Sequence, residues 1–296
     1  MVIHTPPVFR FAPSPNGALH LGHAYSALEN KRLCDAIGGT YLLRIEDIDQ
    51  TRCTPELELQ MCEDLLWLGI EWAEPPRRQS DHFSTYADAL DRLKNLGLVY
   101  PAFMTRGEIR SAVARLQQNG KPWPADPDGS PHYPGPERFW SEQERQAAIA
   151  AGPRFAWRLD MKKALNRIAD SPTWYETGSG PRGESGTVKA KPEQWGDVVL
   201  ARSDTPTSYH LSATVDDALQ QITHVVRGRD LFHATSVHRV LQELLDLPPP
   251  VYHHHDLVLA EDGRKLSKSR SDTSLRSLRD RGIPASDIPN YFRFSQ

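Results

Sequence analysis

Two short stretches carry residue types suited to phosphate chemistry, His20-Leu21-Gly22-His23 and Lys265-Leu266-Ser267-Lys268-Ser269. In the first, imidazoles three residues apart stand where a glycine-containing turn opens a helix. Both therefore fall on one helical face near the positive end of the helix dipole, a setting that favours phosphate. Gly17 and Gly22 lack a Cβ and let a flat ligand approach the backbone. In the second, two ammonium groups three residues apart sit in a loop. When a carboxylate attacks the α-phosphorus of ATP, charge grows on the non-bridging oxygens and on the departing pyrophosphate. Mobile cations that close over those atoms stabilise the transition state. Alone, the first stretch also describes a pair of surface or metal-binding histidines, and the second a solvated turn. Together, with strands and helices alternating between them, they point to one ATP site built from both ends of the sequence.

The elements that must hold these residues can be read from periodicity. Residues 8–12 read as a short strand, 13–17 as a turn, and 21–37 as a helix closed by Gly38 and Gly39. Residues 41–45 are apolar enough for a buried strand. Leu57, Met61, Leu65 and Leu68 recur at helical spacing after Pro55, and residues 81–96 form another amphipathic helix. A β-branched run at 222–227 predicts a central strand, followed by a helix over 231–245 that Pro248, Pro249 and Pro250 end. Such alternation predicts an α/β fold with a parallel sheet and crossover helices. Between these blocks lie six prolines from Pro122 to Pro136 and a Gly/Ser/charge-rich run at 177–191, with short strands at 155–159 and 198–201. That shift in composition predicts an insertion with mobile loops.

Composition excludes several classes. The 296 residues are 39% hydrophobic with a formal charge of −3, no apolar run approaches a bilayer span, and no basic stretch precedes an apolar one at the N-terminus. A soluble, unprocessed, cytoplasmic protein with no membrane contact is expected. Cys34, Cys53 and Cys62 are odd in number and lack C-x-x-C spacing, against both a disulfide framework and a thiolate zinc site. The overall charge does not describe a general polyanion binder, although Arg264, Lys265, Lys268, Arg270, Arg276, Arg279 and Arg281 gather late in the sequence.

With both signatures in hand, the sequence resembles the class I aminoacyl-tRNA synthetases, whose motifs are written H-I-G-H and K-M-S-K-S. Further segments resemble the glutamate-specific branch: residues 10–17 its R-F-A-P-S-P-x-G opening, 43–49 its L-R-I-E-D-x-D strand end, Tyr209-His210-Leu211 with Val215-Asp216-Asp217 its Y-H-L-A-x-V-V-D-D stretch, and 222–228 its V-T-x-V-I-R-G strand. The resemblance implies a Rossmann-like catalytic domain that uses ATP with Mg²⁺ and L-glutamate to form an aminoacyl-adenylate. It implies His20, His23, Lys265 and Lys268 as catalytic groups and Gly22, His20, His23, Leu257 and Lys268 as ATP contacts. On this frame 1–99 is the first half of the catalytic domain, 100–196 an acceptor-type insertion subdomain, 197–250 the second half, and 251–296 the Lys/Ser loop with a short helical end.

Glutamate carries two carboxylates and an ammonium, and the side chains answer that chemistry. Arg10 and Arg227, on the two strands expected to meet at a switch point, each offer a planar fork to a carboxylate. Arg10 is assigned the side-chain carboxylate and Arg227 the α-carboxylate, with the reverse also open. Glu46 can hold the ammonium and Tyr209 can donate its hydroxyl, while Ala12 and Ser14 present small groups and backbone polar atoms. Each residue taken alone also fits an ordinary ion pair or surface charge. His253-His254-His255-Asp256 is not expected to bind a metal, because neighbours on a strand alternate faces; His254 is expected to be structural or close to ATP. Trp123, Tyr133, Phe139 and Trp140 are expected to pack the insertion rather than stack on bases.

Two departures from the branch shape the expectation. Where the resemblance implies zinc-binding thiolates, this sequence has Ala102, Met104 and Glu137, and Tyr133 with Glu137 cannot close a tetrahedral site, so no metal is expected. Only residues 270–296 follow the Lys/Ser loop, so no anticodon-binding domain of the usual kind is expected. That resembles a short branch whose acceptor is the queuosine base at the wobble position of tRNA(Asp), with the anticodon loop entering the cleft of a monomer. Charging of a tRNA 3′ end and an inactive tRNA- or glutamate-binding paralogue are the alternatives.

Overall fold

The computed structural model describes residues 6–118, 120, 122–259 and 274–292. The elements in chain order are β1 (Val8–Phe11), α1 (Leu21–Ala36), β2 (Thr40–Ile45), α2 (Pro55–Trp67), β3 (Arg77–Arg78), α3 (Phe83–Asn95), β4 (Val99–Ala102), α4 (Arg106–Gln117), α5 (Glu142–Ala150), β5 (Ala156–Leu159), α6 (Met161–Arg167), β6 (Thr173–Glu176), β7 (Gly186–Lys189), β8 (Val199–Arg202), α7 (Tyr209–Leu219), β9 (His224–Gly228), α8 (Thr235–Leu244), β10 (Val251–His255) and α9 (Leu275–Asp280). The helix starts follow local chemistry. Thr54 caps α2 by accepting from Leu57 N with Pro55 in the first turn, and Ser208 caps α7 by accepting from Leu211 N.

A seven-stranded sheet runs in the order β3-β2-β1-β9-β10-β6-β7. β1 lies parallel to β2 in the register Val8↔Thr40 to Phe11↔Leu43, because the α1 crossover returns the chain to the same end of the sheet. β9 and β10 are parallel from Val251↔His224 to His255↔Gly228, and only β7 runs antiparallel to its neighbour, β6. A second sheet, β4-β5-β8, is antiparallel.

Strand periodicity sorts the two faces of the large sheet. Phe9, Phe11, Tyr41, Leu43 and Ile45 meet Ala24 and Ala27 of α1, Met61 and Leu65 of α2, and Leu275 and Leu278 of α9. Each fully buried Leu or Phe of this kind stabilises by roughly 1.5–3 kcal/mol. The alternate positions therefore face the other way: Arg10 and Arg44 reach Asp217 of α7, and Leu42 joins Ile222, Val225 and Tyr252. The two arginines are placed by the pleat of strands whose other face is apolar.

Residues 173–189 lie in the stretch expected to be an insertion, and they add β6 and β7 to the central sheet, with Tyr252 opposite Glu176. The reason is a period of two: Trp174 and Glu176 are buried while Thr173 and Tyr175 are exposed, so one face covers the core and the Gly/Ser residues make the turn between strands. One apolar cluster runs from Tyr86 and Leu93 of α3 through Val99, Leu159 and Leu200 of the second sheet to Leu211 and Val215 of α7 and Val237 and Leu241 of α8. The second sheet thus shares its core with helices of the first. Among the described residues no helix is long and apolar enough to cross a membrane.

Candidate active site

β1 leads to β2 on one side and β9 to β10 on the other, so the strand order reverses between β1 and β9. A cleft outside the carboxyl ends of parallel strands at such a point is the preferred ligand position in α/β sheets. Arg10 and Arg227 stand on these two strands, and Glu46 follows β2 directly. Glu46 N donates to Pro13 O at 3.0 Å, which ties the 12–14 loop to Glu46. Ser14 Oγ lies 3.5 Å from Cys53 Sγ.

At the start of α1 the two histidines cap the helix themselves. His20 Nδ1 accepts from Gly22 N at 3.1 Å and His23 Nδ1 accepts from His20 N at 3.2 Å, a capping box made of two imidazoles. Since both Nδ1 atoms are acceptors, the neutral rings carry their protons on Nε2. The rings lie 3.8 Å apart. Ser274, which resumes the chain beside α9, bridges to His20, and Leu275 N donates to Leu19 O at 2.8 Å. On the other side Leu257 closes over Gly228, where an added Cβ would lie 2.9 Å from Leu257 Cδ2. The segment between Leu259 and Ser274, which contains Lys265 and Lys268, lies outside the described residues, and its two flanks border the cleft.

Arg10 is not an isolated fork. Its Nε donates to Asp217 Oδ1 at 2.9 Å, and the same oxygen accepts from Arg44 NH1 at 2.7 Å. Arg44, with no side-chain exposure, also donates to Glu46 Oε1 at 3.1 Å and to Gln220 at 3.2 Å. The neighbouring Asp216 accepts from Arg77, Gln79 and Tyr86, each at 2.8 Å. Three guanidiniums thus share three carboxylates, and Arg10 enters this network through its Nε. Burial would raise the Asp217 carboxyl, but Arg10 and Arg44 outweigh it and hold the group below the usual range. Glu46 is raised, because burial outweighs the pull of Arg44 and Arg10.

Arg227 has a different setting. It is 5% exposed, and its acceptors are all uncharged: Thr235 Oγ1 at 2.7 Å, Tyr209 hydroxyl at 3.1 Å, His254 Nε2 at 3.1 Å and His238 Nδ1 at 3.3 Å. Among the described residues no carboxylate lies within ion-pair distance of it. Four acceptors leave one of its five N–H donors over. Because the Tyr209 oxygen accepts from Arg227, its own proton points elsewhere, and burial raises that hydroxyl so that it stays a donor. Arg10 and Glu46 are joined through Asp217 and Arg44, Arg227 is bonded to Tyr209, and Tyr209 and Asp217 lie on the same helix, α7.

His254 meets Arg227 rather than the histidine-capped helix, while His253 contacts Thr177 and His255 Nδ1 contacts the Asp256 carbonyl. Alternation along β10 sets His254 apart, while His253 and His255 share the face toward α1, where they lie near Glu29 and Tyr25. Where thiolates were implied, Tyr133 hydroxyl donates to Glu137 Oε1 at 2.8 Å and accepts from Met104 N at 3.3 Å, and Arg158 stacks on the Tyr133 ring at 4.4 Å. Among the described residues no group of three or more His, Cys, Asp or Glu side chains is placed to hold a metal ion. Tyr133 packs inside, whereas Phe139 is 76% exposed. Sequence reasoning gave no role to Arg44, Asp217, Glu176, Thr235 or His238. The available signals were an arginine inside an otherwise apolar strand and paired acids in a helix lined by Leu211 and Val215.

Residues 8–294 match the family described as tRNA synthetases class I (E and Q), catalytic domain, and the chain belongs to this family. The parallel sheet with its switch point and the histidine-capped α1 agree with that membership. Among individual relatives, the chain is 45% identical to the Glutamyl-Q tRNA(Asp) synthetase of Rhodobacter capsulatus, over 95% of this chain and 98% of that protein. It is 33% identical to Glutamate--tRNA ligase 2 of Syntrophus aciditrophicus over 97% of this chain, but spans only 57% of that protein. A crystal structure of a glutamate tRNA ligase from Elizabethkingia meningosepticum in complex with its amino acid superposes with a TM-score of 0.73 at 26% identity, covering 90% of this chain and 53% of that one.

Proposed function

We propose that the protein activates L-glutamate with ATP, supplied as its Mg²⁺ complex, to glutamyl-adenylate, and transfers the glutamyl group to the queuosine base at the wobble position of tRNA(Asp). The observation that carries the amino-acid assignment is Arg227, a buried cation whose partners are all neutral, across the switch point from Arg10. Arg10 and Arg227 each take one carboxylate of glutamate, Tyr209 donates its hydroxyl to the one on Arg227, and Glu46 accepts the ammonium. Glutamine would turn an amide NH₂ toward guanidinium N–H groups, which leaves buried donors unpaired and separates the two amino acids. The Nε2–H groups of His20 and His23 and the ammonium groups of Lys265 and Lys268 bind phosphate oxygens as charge moves onto them, with Gly22 and Leu257 bordering the nucleotide. A free oxygen of the α-carboxylate attacks the α-phosphorus and pyrophosphate leaves; a queuosine hydroxyl then attacks the adenylate carbonyl and AMP leaves.

The acceptor is supported by the 45% identity to a protein named Glutamyl-Q tRNA(Asp) synthetase, over nearly its whole length. By this reading the cleft receives the anticodon loop, and the enzyme works as a cytoplasmic monomer. Two measurements test the proposal. Arg227→Gln should raise the glutamate KM in ATP–pyrophosphate exchange roughly 10- to 150-fold, the range for losing a hydrogen bond to a charged group. Labelled glutamate should transfer to tRNA(Asp) only when queuosine is present. Equal labelling of both RNAs, or label mapped to the 3′ end, would assign the acceptor to a conventional glutamate–tRNA ligase reaction.

A further inference from the structure

Behind Arg227 stands a second pair of buried polar groups that the proposed chemistry does not itself use. His254 Nε2 accepts from Arg227 Nε at 3.1 Å, and on the other side of the ring His254 Nδ1 meets Glu176 Oε2 at 2.6 Å. A guanidinium can only donate and a carboxylate only accept, so one neutral tautomer, with the proton on Nδ1, satisfies both contacts. Both side chains have no exposure. Glu176 is held in turn by His254 N at 2.8 Å, Gly178 N at 3.0 Å and Trp174 Nε1 at 3.2 Å. Gly178 is required there, since a Cβ would overlap the His254 backbone. Burial is the main influence that pushes His254 down to about 4, which keeps it neutral at physiological pH despite the adjacent carboxylate.

We infer that Glu176 and His254 are positioning residues that aim the Arg227 fork at the amino acid, with Glu176 fixing the imidazole tautomer and His254 Nε2 fixing the guanidinium plane. The hairpin that supplies Glu176 is therefore part of the amino-acid site, although its sequence reads as an insertion loop. The pair touches no reacting atom. Its effect runs through Arg227, and it rests on the reading that Arg227 holds a carboxylate of the amino acid. Thr235 Oγ1, at 2.7 Å from Arg227 NH2 and 3.4 Å from His254 Nε2, completes the frame.

The test uses glutamate-dependent ATP–pyrophosphate exchange on the full chain, with KM for glutamate, KM for ATP and kcat measured separately. His254→Ala removes the acceptor and should raise the glutamate KM about tenfold or more, while the ATP KM stays within about twofold. His254→Gln keeps a carbonyl acceptor near the Nε2 position and should recover much of that loss. Glu176→Gln can present an N–H to Nδ1, which moves the proton to Nε2 and sets two donors face to face; it should act like His254→Ala. Arg227→Lys separates the two levels of the argument. If Arg227→Lys leaves the glutamate KM unchanged, the underlying site reading is wrong. If Arg227→Lys raises it but the folded His254 and Glu176 variants do not, losing only thermal stability, the pair is structural and the inference is overturned. Should His254→Ala fail to fold, the contrast between His254→Gln and Glu176→Gln decides the matter.

Discussion

Asp217→Asn is the most informative single change, because one carboxylate oxygen serves two buried guanidiniums. It accepts from Arg10 at 2.9 Å and from Arg44 at 2.7 Å, with side-chain exposures of 5% for Arg10, 0% for Arg44 and 7% for Asp217 itself. An amide oxygen in the same place can accept both of these hydrogen bonds but does not carry the charge. At an effective dielectric of about 20, two unit charges about 4 Å apart interact by roughly 4 kcal/mol, and removing one partner of a buried pair costs about 3–5 kcal/mol. Glu46 and Asp216 remain near Arg44, at 3.1 and 3.9 Å, which argues for the lower end of that range. Even so, about 3 kcal/mol is a large part of the roughly 5–15 kcal/mol that holds a typical domain. The freed Arg10 then competes for Glu46, so the ammonium of glutamate loses its partner and the glutamate KM should rise about tenfold or more for the loss of a charged hydrogen bond. Urea unfolding and ATP–pyrophosphate exchange read the two effects. A variant within about 1 kcal/mol of the parent, with an unchanged glutamate KM, would refute the view that this network both stabilises the fold and aims Arg10.

Other consequences can be measured independently. His20→Asn keeps a good N-cap while removing an imidazole, so unfolding should change by only about 0.5 kcal/mol while pyrophosphate exchange falls sharply; equal loss of both would make His20 a structural cap alone. Lys268→Ala should lower the rate of adenylate formation far more than the affinity for glutamate, and normal exchange would contradict its role on phosphate. Tyr133→Phe removes the hydroxyl that donates to the buried Glu137 carboxylate and should cost about 1–3 kcal/mol, with no recovery of the melting temperature on adding zinc. Burial is the main influence that lowers His254 and His255 from 6.5 to about 4, so between those values the unfolded chain binds more protons than the folded one. Stability is then intact above about pH 6.5 and falls as the pH drops toward 4, by roughly 3 kcal/mol for each such histidine; a flat unfolding profile across that window would contradict their neutral burial.

Much of the fold and of the candidate site was legible because it rests on local chemistry. The strand, turn and helix around His20 and His23, the buried strand at Thr40–Ile45 and the helix at Pro55–Trp67 follow from periodicity and capping residues that act within a few positions of themselves. Arg10, Glu46, Tyr209 and Arg227 could be picked out because each lies in or beside a short stretch whose pattern is visible in one dimension. What the sequence could not decide was pairing. That Asp217 serves Arg10 from 207 residues away, or that Glu176 meets His254 across 78, depends on which strands become neighbours and which helix face covers them. The Gly/Ser-rich run at 177–191 read as a loop because its composition is that of turns. Only the open edge of β10 made residues just before that run and within it into the strands β6 and β7, since strand order is set by contacts between distant segments that leave little local trace. The sequence by itself determined which residue types were present for binding phosphate and carboxylate. The tertiary structure decided which guanidiniums met carboxylates, as Arg10 and Arg44 do, and which met only neutral acceptors, as Arg227 does, because a buried charge is defined by its neighbours in space.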